Sequence, residues 1–339
     1  MNLITGASGL IGSHLAYQLL KNNEEVVAIK RAQTDIHKTK HVFSYYDSNY
    51  EKLFAKIKWL DADLLDIYSL IDALEGIKTV YHCAGFVDFD PNNQKKVHQI
   101  NAEGTSNLVN ACLEKNIEVL CHVSSIATLQ NPDKTENIDE SVYWKSSPRV
   151  SNYAISKYNA EREVWRGSEE GLNVIIVNPG IVIGPGFWHQ SSGKLIQTCY
   201  NGLKFYSSGG SATIDVRDVA NCMIELKNKK CYNKRFVLTE NNYSFQTILN
   251  EWHQAFHKPK PSIKAGKIAL KTAQFFDWLK HLISGSERVI TSETVLSALD
   301  KNTYSNQLIK NTLNVQFIPL KDSVKFVSQS FLNDLQNKA

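Results

Sequence analysis

The first twenty residues limit what this chain can fold into more than any other stretch. Asn2-Leu3-Ile4-Thr5 reads as a strand and runs without a spacer into Gly6-Ala7-Ser8-Gly9-Leu10-Ile11-Gly12. From Leu10 to Lys21 apolar residues then recur at helical spacing. The three glycines have separable physical uses: Gly6 permits a tight turn, Gly9 lets backbone amides approach a ligand, and Gly12 allows the helix to pack closely on the strand. The turn also leaves unpaired N–H groups at a helix N-terminus, where the dipole favours negative charge. That suits the diphosphate of a dinucleotide, and Gly6, Ser8, Gly9, Leu10, Ile11 and Gly12 are its candidate contacts.

The rest of the chain keeps the same rhythm. Strands are predicted at residues 2–5, 25–29, 57–60, 79–82, 119–124, 173–178 and 235–238, and helices at 10–21, 65–74, 97–115 and 153–166. Val174-Ile175-Ile176-Val177 is continuously apolar, as a strand buried on both faces should be. This alternation predicts an α/β fold, a doubly wound parallel sheet with helices on both faces. The polar segment from Arg31 to Lys56 reads as a loop and a helix. From about Gly180 the pattern changes, with Gly and Ser clusters at 184–186 and 207–211 and helices in the last hundred residues. The expected division is a first domain over residues 1–178 and a smaller, mostly helical substrate domain over 179–339. Residues 212–238 are expected to return to the first domain.

Composition narrows the function classes. Hydrophobic residues are 42% and charged residues 21% of 339 residues, ordinary for a globular chain. A formal charge of +4 without a basic stripe gives no reason to expect a nucleic-acid partner. The six cysteines form no CxxC pair and no His cluster at metal-ligand spacing, so reduced thiols and no metal are expected. No run of about 18 apolar residues predicts a membrane span. Met1-Asn2-Leu3-Ile4-Thr5 leaves no room for a charged leader, and the expected location is cytoplasmic.

Two further constellations carry chemistry. Lys30-Arg31 follows the second predicted strand, where an acidic residue would bind the ribose 2′-hydroxyl of NAD and an arginine suits the 2′-phosphate of NADP. NADP(H) is therefore expected ahead of NAD(H), with Arg31 on the phosphate. Tyr153-Ala-Ile-Ser-Lys157 places a phenol and an ammonium four residues apart on one helix face. A free phenol with a pKa near 10 is a poor acid–base catalyst, but a lysine and an oxidised nicotinamide beside it favour the phenolate. Ser124 and Ser125 end the fifth predicted strand, at the sheet edge where ligands bind.

With the GxxGxxG spacing, these motifs resemble the extended short-chain dehydrogenase/reductase family, collinear through about residue 240, and the resemblance implies a Rossmann-type sheet. It implies that Asp63 in Asp61-Ala-Asp63-Leu64 bonds the adenine amino group, with Leu64 beside it. It places Cys83, Ala84 and Gly85 of His82-Cys-Ala-Gly against the cofactor, and Asn101-Ala-Glu-Gly-Thr105 resembles the family's helix element. Ser125, Tyr153 and Lys157 become the catalytic triad, Ser124 lies against the cofactor, and the serine register is open by one residue. Tyr153 and Lys157 also contact the nicotinamide ribose. Asn178-Pro179-Gly180-Ile181-Val182-Ile183-Gly184-Pro185 resembles the segment lining the nicotinamide, which assigns Pro179, Gly180, Ile181 and Val182 to cofactor binding.

Asn178 and Ile214-Asp-Val-Arg-Asp-Val-Ala220 are similar to the dihydroflavonol-reductase-like branch. The implied activity is reduction of an aldehyde or ketone of a small-molecule substrate by NADPH. A sugar-nucleotide epimerase or dehydratase retaining its cofactor is the alternative, and an NADP-sensing regulator a third. A homodimer is compatible with all three. Arg217 reads as a structural ion pair and Lys227–Arg235 as a solvated loop. Phe86, Val87, Asp88, Phe187, Trp188 and His189 are open between pocket and core. Ile268, Gln274–Phe276, Trp278, Leu279, Leu282 and Ile283 form an amphipathic helix with Lys267, Lys271 and Lys280. It is expected to pack on its own core, ahead of a substrate lid or a membrane-surface role.

Overall fold

The computed structural model describes residues 1–130, 133, 135–147, 150–284, 288 and 290–337. Seven parallel strands form the main sheet: β1 (Asn2–Thr5), β2 (Val26–Lys30), β3 (Lys58–Asp61), β4 (Thr79–His82), β5 (Val119–Val123), β6 (Asn173–Pro179) and, after three further strands, β10 (Lys234–Leu238). Their spatial order is β10-β6-β5-β4-β1-β2-β3. The order reverses between β1 and β4, and the crevice outside the carboxyl ends of a parallel sheet at such a point is where ligands bind.

Alternation along the strands sorts the core into two faces. Ile4, Val26, Ala28, Tyr81, Cys121, Ile175 and Val177 pack with Leu15 and Leu19 of the Leu10–Lys21 helix and Val219 and Met223 of the Val216–Asn228 helix. Leu3, Val27, Ile29, Val80, Leu120, Val174 and Ile176 face the other way, onto Leu70, Leu108 and Val164 from three helices. Strands buried on both sides need apolar residues at every position, which explains why the continuous runs were readable.

The differences lie in the helices. The helix expected over 97–115 is broken into Gln94–His98, a π-helical turn Gln99–Glu103 and Gly104–Glu114. Residues 31–56 hold two short helices, His37–Ser44 and Tyr50–Phe54, rather than one. The first is fixed by buried Phe43, whose ring lies 5.3 Å from Tyr17, and by Thr39 Oγ1 donating to the Ala7 carbonyl at 3.1 Å.

Beyond β6, strands β7 (Ile181–Ile183), β9 (Gly210–Asp215) and β11 (Asn241–Ser244) form a small sheet, and β8 (Phe205–Ser207) pairs with β12 (Ile263–Ala265). A separate core gathers Trp188, Ile196, Trp252, Phe256 and Phe331. Trp188 belongs to this core, with its Nε1 donating to Asp334 at 2.7 Å. Arg217 forms the expected ion pair, a two-pronged contact with Asp215 at 2.8 and 2.6 Å. Among the described residues all six cysteines are free thiols, no His/Cys/Asp/Glu cluster could hold a metal, and no helix is long and apolar enough to cross a membrane.

Candidate active site

The glycine turn closes on itself. Gly6 has φ +69° and its carbonyl accepts the Gly9 N–H at 2.9 Å. A Cβ on Gly12 would stand 2.3 Å from the Gly6 oxygen, and one on Gly6 only 2.5 Å from the Ala84 nitrogen. A side chain at Gly6 would push the turn off the segment after β4, and one at Gly12 would push the helix off the turn. Gly9 caps the Leu10–Lys21 helix with no side-chain hydrogen bond, and the first turn of that helix holds no acidic residue. Its N–H groups, with Ser8 beside them and Leu10 and Ile11 on the first turn, make a cradle suited to a diphosphate.

The crevice beside the ends of β2 and β3 is polar. Lys30 is engaged with Asp61 at 2.5 Å. The exposed Arg31 guanidinium has no hydrogen-bond or ion-pair partner among the described residues. Asp63 accepts the Leu65 N–H through Oδ1 at 3.0 Å, while Asp66, not Asp63, caps the Ile67–Ala73 helix. Leu64 packs against Gly104, whose absent Cβ would lie 3.0 Å from it.

A hydrogen-bonded chain holds the β4 turn in place. Thr5 Oγ1 meets His82 Nδ1 at 2.7 Å and accepts the Ala84 N–H at 3.2 Å, and His82 Nε2 meets Thr105 Oγ1 at 2.9 Å. The Cys83 N–H donates to the Thr5 carbonyl at 3.1 Å. Burial pushes the Cys83 thiol up to about 12 and His82 down to about 3, so both stay uncharged near neutrality. Asn101, inside the π turn, accepts the Phe86 N–H at 2.7 Å and donates to the Phe86 carbonyl at 3.0 Å and Ser156 Oγ at 2.9 Å. It therefore ties the loop after Gly85 to the Tyr153 helix.

Ser125, Tyr153 and Lys157 come together at the carboxyl edge of β5. The half-buried Tyr153 phenol faces the Ser125 hydroxyl; burial raises its pKa and the serine hydroxyl lowers it, with a net rise. Phe89 stands edge-on at 5.8 Å from the phenol ring. Lys157 is buried one turn further on and donates from Nζ to the Val123 carbonyl at 2.7 Å. Burial lowers its pKa to about 8, against the opposing pull of Glu161. The lysine is thus held on the strand end, and burial keeps the phenol above its ordinary range.

The two serines separate cleanly. Ser125 faces the phenol and caps the Ile126–Thr128 turn. Ser124 is buried and donates to Glu161 Oε2 at 2.7 Å, so its hydroxyl points into the protein rather than toward a cofactor.

Glu161 was not legible as a site residue. Its Oε2 also accepts Thr128 Oγ1 at 3.0 Å and Asn178 Nδ2 at 3.0 Å, and its Oε1 accepts Arg235 at 3.1 Å and Trp165 Nε1 at 3.4 Å. Asn178 Nδ2 reaches the Ser125 carbonyl at 3.2 Å. Arg235, which begins the expected strand and ends the basic loop, is the second residue of β10, and its guanidinium is paired with Glu161 rather than solvated. Pro179 ends β6, and Gly180 donates to the Leu238 carbonyl at 3.0 Å with Ala212 O 2.5 Å from where a Cβ would sit. That tight passage leads Ile181 and Val182 out of the main sheet into β7.

A doubly wound sheet with a glycine cradle at its switch point defines a dinucleotide-dependent enzyme. The family described as NAD dependent epimerase/dehydratase matches residues 2–234, and the chain belongs to that family. It is an NAD(P)-dependent enzyme. It is similar to Sterol demethylase protein B of Methylococcus capsulatus, 25% identical over 266 residues, covering 77% of this chain and 76% of that protein. Cinnamoyl-CoA reductase 1 of Petunia hybrida is 29% identical over 247 residues, covering 70% and 72%. The crystal structure of gox2253 superimposes with TM-score 0.80 at 25% identity, covering 98% of each chain.

Proposed function

We propose that this enzyme reduces an aldehyde or ketone to the alcohol with NADPH. The observation that carries the reading is the meeting of the Ser125 hydroxyl and the Tyr153 phenol at the sheet edge, with Lys157 one helical turn away. Resemblance to cinnamoyl-CoA reductase supports reduction as the direction of reaction. Residues 1–178 with 212–238 would form the cofactor domain, and the remainder would cover the substrate.

The residues present fit a dinucleotide. The uncapped, acid-free helix N-terminus behind Gly9 suits the diphosphate, and the unpaired Arg31 suits a 2′-phosphate. When bound, the nicotinamide supplies hydride. Ser125 would hold the substrate carbonyl oxygen, and Tyr153 would pass its proton to that oxygen as negative charge develops. Lys157 would hold the nicotinamide ribose and keep positive charge beside the phenol. Asp63, Leu64, Cys83, Ala84, Gly85 and Pro179 to Val182 would line the cofactor, whereas the bond to Glu161 argues against a cofactor role for the Ser124 hydroxyl.

Incubating the enzyme with NADPH and a panel of aldehydes and ketones, beside UDP-sugars, tests the reading. Net NADPH oxidation with a carbonyl compound is expected. Conversion of a UDP-sugar without net NADPH loss would replace it with the epimerase reading.

A further inference from the structure

The helix Lys267–Ser284 turns Ile268, Phe275, Phe276, Trp278 and Leu279 outward. Ile268 is 83% exposed, Phe276 62%, Phe275 55% and Trp278 41%. Leu270, Ala273 and Asp277 on the opposite side are half-buried. At 100° per residue, Ile268, Phe275 and Leu279 fall on one line, flanked by Phe276 and Trp278. The Phe275 ring lies 5.8 Å from Phe276 and 5.8 Å from Trp278, so the aromatics cluster along the helix itself. The side chains of Lys280, Leu282 and Ile283 lie outside the described ones.

Polar tethers fix this orientation. Gln274 Nε2 donates to Ser292 Oγ at 2.8 Å, and Asp277 accepts the Ile290 N–H at 3.1 Å. The chain that follows reaches the rim of the crevice, where the Arg288 N–H donates to Asp90 at 3.3 Å and Glu293 accepts the Asn152 N–H at 3.0 Å. An apolar face held outward by polar bonds on its inner side is a surface feature, not a core helix.

The charge of the chain leading into it is one-sided. Between Glu251 and Asp277 the sequence contains no Asp or Glu, yet it holds Lys258, Lys260, Lys264, Lys267 and Lys271, all exposed. Exposed Ile263 and Phe205 stand paired on the neighbouring β12 and β8. Trp, Phe and Leu on one face with lysines at the margin suit a helix lying among lipid headgroups. Each lysine near an anionic bilayer strengthens attachment roughly fivefold. A second copy of the chain is a poorer occupant, because two such lysine fields would repel one another.

We propose that the helix Lys267–Ser284, with the lysines that precede it, docks this enzyme onto an anionic lipid bilayer. The inference goes beyond the reductase reading and is tested without turnover. Full-length protein is sedimented with phosphatidylcholine vesicles containing or lacking phosphatidylglycerol, at low and high salt. Binding is expected to the anionic vesicles and to weaken with salt. Combined Lys264→Glu, Lys267→Glu and Lys271→Glu should weaken it at least about 100-fold. Combined Phe275→Ser, Phe276→Ser and Trp278→Ser should weaken it at least tenfold. Unchanged NADPH affinity in both variants shows that they fold, since these residues are distant in sequence from the cradle. No vesicle binding by the wild type, or wild-type binding by both variants, overturns the proposal. So does a dimer in sedimentation velocity that the aromatic variant abolishes while vesicles go unbound.

Discussion

Behind Ser125, five donors converge on the single buried carboxylate of Glu161, whereas along the helix Lys267–Ser284 large apolar side chains stand in solvent. In the first region polar groups have been taken out of water and satisfied by one another. In the second, apolar groups have been left in water beside a run of lysines. Both arrangements oppose the usual sorting of residues, and each is stable for a different reason. A buried charge persists when its hydrogen bonds and counter-ion are all supplied, as Arg235 and four neutral donors supply them here. An exposed apolar face costs the isolated protein solvation and needs a partner outside it. On the proposed reading, the chemistry belongs beside the first region and contact with the surroundings to the second.

The sharpest way to break that division is to remove one atom from the first region. Tyr153→Phe should lower carbonyl turnover by about 10²–10⁴-fold while NADPH affinity changes little, because the ring still packs against Phe89. Lys157→Met should damage both. Steady-state kinetics beside fluorescence titration of cofactor separates the cases, and full turnover in Tyr153→Phe would place the chemistry elsewhere.

Removing the carboxylate is the next largest change. Glu161→Ala leaves the half-buried Arg235 without its counter-ion and four neutral donors without that acceptor, and should cost about 3–5 kcal/mol in urea unfolding, with Glu161→Gln milder. Turnover should fall with it, because Asn178 then loses the anchor from which it holds the Ser125 carbonyl. A variant as stable as the wild type would show that the network is decoration.

Arg31→Ala tests the adenine end. It should erase most of the preference for NADPH over NADH, a charge-assisted contact being worth roughly 1.5–3 kcal/mol. Equal affinities in the unmodified enzyme would contradict the NADP assignment.

The smallest predicted effect is one of pH. Burial drives His122 well below the ordinary imidazole value, and neither of its ring nitrogens has a partner among the described residues. His82 beside it is lowered to about 3. From about pH 6.5 down to pH 3 the unfolded chain therefore binds protons that the folded chain refuses, and stability falls as acid is added. His122→Leu should make that fall shallower and raise stability near neutrality by about 1 kcal/mol. Urea midpoints across that range measure it, and an unchanged slope would mean His122 does not contribute.

How much of this was legible in the sequence follows from which residues are buried. Val174 to Val177 declared a strand because both its faces are covered, and the glycine spacing declared the cradle because no other residue fits where a Cβ would meet backbone. The helix expected between Arg31 and Lys56 could be neither bounded nor split in two, because Thr39, Val42 and Phe43 are the only buried residues of His37–Ser44, too few for a period to emerge. Glu161 sat among Arg162 and Glu163 and read as one more surface charge. Its signal was position: with Ala154, Lys157 and Val164 it lies on the stripe that the Asn152–Glu169 helix buries. The outward face of Lys267–Ser284 could not be read at all, since periodicity reveals an apolar face but not which way it points.

Deuteride transfer tests the central claim most directly. The enzyme is supplied with NADPH carrying deuterium at the transferable position of the nicotinamide and with a carbonyl substrate found by the screen. The account predicts one deuterium on the new alcohol carbon of the released product and an equal amount of NADP⁺ in solution. Product formed without that label, or without release of oxidised cofactor, would contradict it.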